Sequence, residues 1–137
     1  MITHVFDTTA ILAHYFHEPG AELVNELLAN NSVDVGIPAT ELLELKKMLT
    51  GALPDPVEAQ RAFHLYADEL ITTIPVTREV VTRAEVILQK SGGQLSLLEA
   101  ILAATAQNEN AILVHRDPRL ANQPGTLFQQ CALPLGN

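Results

Sequence analysis

Four acidic residues stand at positions where their side chains could do metal chemistry: Asp7, Glu44, Glu99 and Asp117. Asp7 directly follows one short apolar strand, and Asp117 follows another that ends at Val114. Binding sites of open parallel sheets form beyond the carboxyl ends of the strands. Carboxylates gathered there repel one another unless a proton or a cation bridges them, and such hard ligands suit Mg²⁺ or Mn²⁺ rather than zinc. The sequence therefore predicts one acidic pocket.

Three of these acids also have purely structural explanations. Asp7 is placed to cap the helix that follows it. Ser96-x-x-Glu99 has the pattern of a capping box, in which the glutamate accepts a hydrogen bond from a backbone N–H at the helix start. Asp117 is followed by proline, a common opening of a type I turn. Each explanation is sufficient when one acid is considered alone.

The acids on helices are harder to place. Glu44 could face solvent, as we expect of its neighbour Glu41, or it could face inward among the leucines around it. Glu99 belongs to a predicted helix, residues 97–107, that is apolar on almost every side and has little room for a solvent face. Taken together, the four positions favour a shared pocket over four unrelated structural roles.

Strands and helices alternate along the sequence. The predicted strands cover residues 4–6, 33–37, 71–74, 111–114 and, as a possible last one, 126–128. The predicted helices cover residues 8–16, 21–28, 57–70, 80–88 and 97–107, with another that Pro38 opens and a turn at 51–56. This alternation predicts right-handed βαβ units and one α/β domain, in which a mostly parallel sheet of four to five strands is covered by helices on both faces.

Composition limits the class of protein. The chain has 137 residues, of which 47 % are hydrophobic, and a single cysteine, Cys131, that cannot form an internal disulfide. It has no run of about 18 apolar residues and no signal-peptide pattern, so we expect a cytoplasmic protein. The formal net charge of −8 argues against a broad electrostatic grip on nucleic acid. Cations bound in an acidic pocket could still attract phosphate.

Four segments resemble, in order, the sequence blocks of PIN domains. They are VFDTTAIL at 5–12, IPATELLEL at 37–45, GQLSLLEAILAATA at 93–106 and LVHRD at 113–117. Each block places an acid where the family has one, and together they cover roughly residues 5–120. The resemblance is closest to the small VapC-type toxins of toxin–antitoxin pairs, and it implies a three-layer α/β/α PIN fold for a single domain over residues 1–137.

The resemblance also implies an activity. Such proteins are endoribonucleases that use Mg²⁺ or Mn²⁺ to activate a water for hydrolysis of RNA, form homodimers and are held inactive by a cognate antitoxin protein. The catalytic residues and metal ligands would be Asp7, Glu44, Glu99 and Asp117. The candidate substrate-binding residues are Thr8, Thr9, Ser96 and Arg116.

Four positions depart from the family pattern. The third block normally carries aspartate where this chain has Glu99, and His115 stands where a small hydroxyl residue usually helps to fix the fourth acid. Arg119 and Leu120 follow Asp117 where a further aspartate and a phenylalanine are common. We expect these departures to affect metal affinity and rate more than the fold.

Two alternatives remain open on the sequence alone. One is a catalytically weak or inactive PIN domain that binds RNA or a protein, which the low basic content favours. The other is a metal site at His14-x-x-His17, although polar residues near a helix end explain that pair as well. A phosphoaspartate enzyme is disfavoured, because Thr9 stands where that chemistry needs a second aspartate.

Overall fold

The computed structural model describes residues 1–135. Five strands are present: His4–Phe6 (β1), Val35–Pro38 (β2), Thr72–Ile74 (β3), Ile112–His115 (β4) and Gln130–Ala132 (β5). The α-helices are Thr8–Tyr15 (α1), Ala21–Ala29 (α2), Ala39–Ala52 (α3), Pro56–His64 (α4), Arg78–Lys90 (α5), Leu97–Asn108 (α6) and Pro118–Ala121 (α7), and α4 continues into a π-helical segment, Leu65–Leu70. No helix in this part of the chain is both long and apolar enough to cross a membrane.

The strands form one parallel sheet in the order β3-β2-β1-β4-β5. Val5 of β1 is in register with Gly36 on one side and Leu113 on the other. The chain adds β2 and β3 to one side of β1 and then crosses to the other side for β4 and β5. This reversal of direction makes the carboxyl ends of β1 and β4 the switch point, where a crevice opens in such sheets.

Alternate residues of the central strands feed two separate cores. Val5 and Leu113 point into the core formed with α5 and α6, whereas Phe6 and Val114 point into the core formed with α1 to α4. All four side chains are fully buried. Helices therefore cover both faces of the sheet, which confirms the predicted three-layer α/β/α arrangement.

The prediction of a last strand at 126–128 is wrong. The fifth strand is β5, and the segment before it turns, with the N–H of Leu127 donating to the carbonyl of Pro124 at 3.0 Å. Leu127 and Phe128 are nevertheless buried against α5 and α6. Their apolar character reflects core packing from a turn, which periodicity cannot distinguish from a buried strand.

Other element boundaries also differ from the sequence prediction. The predicted turn at 51–56 is shorter, because α3 runs through Gly51 to Ala52 and α4 already begins at Pro56, capped by Asp55. The predicted helix 57–70 keeps α-helical hydrogen bonding only as far as His64. Pro38 is the last residue of β2 and occupies the N-cap position of α3, so the helix itself begins at Ala39.

Gly36 is required by the close approach of β3. A Cβ atom at this position would lie 2.8 Å from Cγ1 of Ile74 and 3.2 Å from Cδ1 of Ile2. We expect Gly36→Ala to lower the free energy of unfolding by about 1–3 kcal/mol, as overpacking of a core does. Gly51→Ala is the control: it meets nothing within 4 Å in α3 and should raise that free energy by about 0.5–1 kcal/mol. Urea titration measures both, and a Gly36→Ala protein as stable as the wild type would contradict the packing argument.

Candidate active site

Asp7 lies at the point where β1 becomes α1. Its Oδ1 accepts hydrogen bonds from the backbone N–H of Ala10 at 2.9 Å and from the hydroxyl of Thr9 at 2.7 Å, and the same hydroxyl lies 2.8 Å from Oδ2. Asp7 is only 5 % exposed. It is thus both the cap predicted for α1 and a buried carboxylate at the switch point.

Asp117 follows β4 and caps α7, where its Oδ1 accepts from the N–H of Arg119 at 2.9 Å. The N–H of Asp117 donates to Nδ1 of His115 at 2.9 Å, so the proton of this imidazole is on Nε2, which donates to Oε1 of Gln130 at 2.7 Å. Burial lowers the pKa of His115, in keeping with a neutral ring. His115 therefore fixes the loop of the fourth acid, the task that a hydroxyl residue would otherwise perform.

A single hydroxyl joins the two strand ends. Thr9 donates to Asp7 and accepts a hydrogen bond from the N–H of Arg116 at 2.8 Å. The loop after β4 is thereby held against the start of α1. This contact sets the relative position of the first and fourth acids.

Glu99 occupies the predicted capping box of α6. The Ser96 hydroxyl accepts from the N–H of Glu99 at 3.2 Å, and Oε1 of Glu99 accepts from the N–H of Ser96 at 2.8 Å. The second oxygen, Oε2, is buried and has no aligned hydrogen bond, although the Arg119 guanidinium lies 3.1 Å away. One oxygen of Glu99 therefore serves the capping box, and the other is left without a hydrogen-bond donor.

The expectation that Glu41 faces solvent is wrong. Glu41 is 4 % exposed, and its Oε1 accepts from the N–H and the hydroxyl of Thr8 at 3.0 and 3.2 Å. The sequence did indicate this burial. Glu41 lies on the same stripe of α3 as the buried Leu45 and Leu49, four and eight positions before them. Glu44 is exposed, and it lies on the wall of the cavity that the other acids surround.

The acids surround one cavity of about 170 Å³ at the carboxyl ends of β1 and β4. Five carboxylates lie on its wall: those of Asp7, Glu41, Glu44, Glu99 and Asp117. The structure thus brings all four predicted acids together and adds a fifth that sequence reasoning missed.

The predicted substrate-binding residues are divided by the structure. Thr9 and Ser96 line the cavity. Thr8 is buried beside it with its N–H occupied by Glu41, and Arg116 points away to an ion pair with Glu18 at 2.8 Å. The cation on the cavity wall is Arg119.

The two histidines singled out in the sequence are engaged in other contacts. Nδ1 of His14 lies 2.7 Å from the Tyr66 hydroxyl and Nε2 lies 3.2 Å from Oδ1 of Asn25, so both ring nitrogens have partners. His17 closes α1 with a positive φ of 54°. This geometry favours the structural explanation of the pair.

Burial and repulsion by neighbouring carboxylates raise the pKa values of two acids of the cavity, Asp7 and Glu41. Burial, with a smaller contribution from the Glu41 and Asp117 carboxylates, raises the pKa of Asp7 to about 7, against the opposing hydrogen bonds from Thr9 and Ala10. Burial likewise raises the pKa of Glu41 to about 7, and the neighbouring Glu44 carboxylate adds to the shift. A cation in the cavity would favour the ionised form of both groups.

The donor set fits a hard divalent cation in its chemistry. All five side chains offer anionic oxygen, and Oε2 of Glu99 is buried without an aligned hydrogen-bond donor. Within residues 1–135, no three His, Cys, Asp or Glu side chains already converge as a formed metal site. Binding of Mg²⁺ or Mn²⁺ therefore requires these carboxylates to draw together.

We expect the free energy of unfolding of the metal-free protein, measured in EDTA, to change with pH because Asp7 ionises. The folded pKa of Asp7, about 7, lies above the ordinary value of 3.8. The contribution of Asp7 to the free energy of unfolding is therefore full below pH 3.8 and is lost as the pH rises to about 7. Between pH 5 and pH 8, Asp7→Asn should therefore gain about 3 kcal/mol of unfolding free energy relative to the wild type, because each of the roughly two pH units below the folded pKa contributes about 1.4 kcal/mol.

The control for this prediction is Glu85→Gln, which removes an exposed acid of α5 and should leave the pH profile unchanged. The lowered pKa of His115 acts in the opposite sense, because it removes stability as the pH falls below 6.5. Since this contribution is common to both proteins, the difference between Asp7→Asn and the wild type isolates Asp7. Identical profiles by thermal unfolding would contradict the assignment.

Comparison of the chain with known proteins identifies its family. The family model for the PIN domain matches residues 4–125. No curated protein matches the chain. Among solved structures, the chain is similar to VapBC2 from Rickettsia felis bound to a DNA fragment from its promoter, with a TM-score of 0.76 and 15 % identity over 97 % of this chain and 100 % of that one.

Two further structures share the fold. A toxin–antitoxin complex from Klebsiella pneumoniae has a TM-score of 0.67 and 23 % identity over 93 % of this chain and 99 % of that one. VapBC-1 from nontypeable Haemophilus influenzae has a TM-score of 0.69 and 20 % identity over 96 % and 98 %. The family match over most of the chain, the five-stranded parallel sheet and the acids at its switch point agree, and the chain belongs to the PIN domain family.

Proposed function

We propose that this protein is a Mg²⁺- or Mn²⁺-dependent endoribonuclease and the toxin of a toxin–antitoxin pair. The observation that supports this most is the gathering of five carboxylates around one cavity at the switch point of a PIN-family sheet. A pure binding module gains nothing from a cluster of acids whose charges raise one another's pKa values. A cation site explains the cluster.

The catalytic residues and metal ligands in this proposal are Asp7, Glu44, Glu99 and Asp117. A divalent cation held by them would lower the pKa of a bound water and neutralise charge on the phosphate. The protein's own contribution is to hold the ligands. Thr9 orients Asp7, the capping box orients Glu99, and the neutral His115 orients the backbone of Asp117. Loss of an outer contact of this kind typically costs a metal site roughly 10- to 100-fold in affinity or activity.

Glu41 has a positioning role in this scheme. Its carboxylate holds both the N–H and the hydroxyl of Thr8 and so fixes the first turn of α1 next to Asp7. It also adds negative charge to the cavity wall. Thr8 itself then helps to orient the site rather than to bind substrate directly.

The substrate in this proposal is RNA, approached through its phosphates. A chain with a net charge of −8 repels a polyanion in general. Attraction must therefore be local, at a bound cation and at the guanidinium of Arg119 on the cavity wall. Thr9 and Ser96 remain candidates for contacts to the substrate.

The proposed partners are a cognate antitoxin protein and a second copy of this chain, in the cytoplasm. The structures to which the chain is similar are toxin–antitoxin complexes, which supports an antitoxin partner. Apolar side chains on α2, α4 and the π-helical segment are at least a third exposed, among them Leu23, Val57 and Leu70, and could contribute to a homodimer.

A second candidate is a PIN domain that binds RNA or a protein without cleaving it. The absence of a formed three-ligand cluster within residues 1–135 favours it, as does the arginine that already contacts Glu99. Cleavage and binding assays on the same RNA separate the two candidates.

The test of the proposal is RNA cleavage by the purified chain in Mn²⁺. We expect Asp7→Asn to lose more than the roughly 10- to 100-fold that removal of an outer contact costs a metal site, EDTA to abolish cleavage, and Glu85→Gln to cleave like the wild type. Equal cleavage in the wild type, the Asp7→Asn variant and EDTA would reject the metal-nuclease proposal. RNA bound but left intact by the wild type would favour the second candidate.

A further inference from the structure

Arg119 places a positive charge among the acids of the cavity. Its Nη2 lies 3.1 Å from Oε2 of Glu99, and its Nε lies 3.9 Å from Oδ1 of Asp117. One guanidinium thus lies against two proposed metal ligands, one from α6 and one from the loop after β4.

The contact with Glu99 is electrostatic and poorly aligned. Oε2 of Glu99 is buried and accepts no well-aligned hydrogen bond, although the guanidinium of Arg119 lies beside it. The Arg119 side chain is 65 % exposed, whereas that of Glu99 is 11 % exposed. Exposed ion pairs contribute little to stability, because solvent screens them and the long side chain must be held in place. The exposed guanidinium is therefore free to leave, but the buried Oε2 of Glu99 then needs another cation beside it.

Departure of the side chain need not disturb the loop. The backbone N–H of Arg119 donates to Oδ1 of Asp117 at 2.9 Å, and any residue other than proline at this position can make that bond. The cap of α7 and the direction of Asp117 thus depend on the backbone, while the guanidinium acts separately through its charge.

We infer that Arg119 is an internal counter-ion that takes the place of a divalent cation between Glu99 and Asp117 and is displaced when such a cation binds. The inference rests on the proposed function, because it assumes that these acids bind a metal. Arg119 then weakens the affinity for Mg²⁺ or Mn²⁺, so that the protein responds only to higher cation concentrations. Arg119 is a regulatory residue of the site rather than a ligand.

Isothermal titration of the purified chain with Mn²⁺ tests this inference. Arg119→Gln should bind Mn²⁺ roughly fivefold or more tightly than the wild type, the ratio that loss of a competing exposed ion pair would give. Arg119→Lys keeps the charge and should stay near the wild type. Arg83→Gln removes a half-buried arginine of α5 that contacts Glu79 and Gln107, away from the cavity, and should leave the affinity for Mn²⁺ unchanged.

Thermal unfolding supplies a readout that a merely structural arginine would not move. Arg119→Gln should melt below the wild type in EDTA, because Glu99 and Asp117 lose their counter-ion, and should gain more than the wild type on addition of Mn²⁺. An equal gain in both proteins would contradict the inference.

The outcomes separate the two claims. If the wild type binds Mn²⁺, Asp7→Asn loses binding, and Arg119→Gln binds with equal or weaker affinity, then the counter-ion inference is wrong and the metal site stands. If neither the wild type nor Arg119→Gln binds Mn²⁺, both the inference and the proposed metal dependence fail.

Discussion

Three helices begin at the acidic cavity, and at each start a carboxylate accepts a hydrogen bond from a backbone N–H of that helix end. Asp7 caps α1, Asp117 caps α7, and Glu99 closes the capping box of α6. Helix starts carry unpaired N–H groups and a partial positive charge, which favour acids. These contacts lower the cost of placing several acids in one cavity, and the rest of the site depends on them.

The same arrangement explains why structural and functional interpretations of the acids do not compete. In each acid one oxygen accepts the hydrogen bond at the helix start. These oxygens are Oδ1 of Asp7, Oε1 of Glu99 and Oδ1 of Asp117. A carboxylate has a second oxygen, and in Glu99, which lines the cavity, that atom is buried without a hydrogen-bond donor. The methylene that glutamate adds over aspartate allows this side chain to reach back to the N–H of Ser96, as capping boxes require. The glutamate at position 99, where the family pattern has aspartate, thus has a local structural reason, since it completes the capping box of α6.

The sequence predicted those features that depend on strong local patterns. Alternating apolar strands and helices predicted the three-layer sheet, and chain order alone predicted that Asp7 and Asp117 would lie together, since parallel strands end at one edge. The last strand was misplaced because Leu127 and Phe128 are buried from a turn, and local periodicity does not distinguish this from a strand. Glu41 was missed because a charged side chain is seldom buried, and only its partner Thr8, 33 positions away, makes its burial possible. The position of Arg119 across two acids is likewise a tertiary feature, since α6 and the loop after β4 meet only in the fold.

The central claim is that the acidic cavity binds a divalent cation. Anomalous diffraction from a crystal of this protein soaked in Mn²⁺ tests it most directly, because the anomalous peak locates the ion without reference to activity. We expect a peak in the cavity bonded to oxygens of Asp7 and Asp117, at about the 2.0–2.1 Å typical of small hard divalent ions, with the Arg119 side chain turned away. A cavity without a peak, in a crystal that carries Mn²⁺ elsewhere, would contradict the claim.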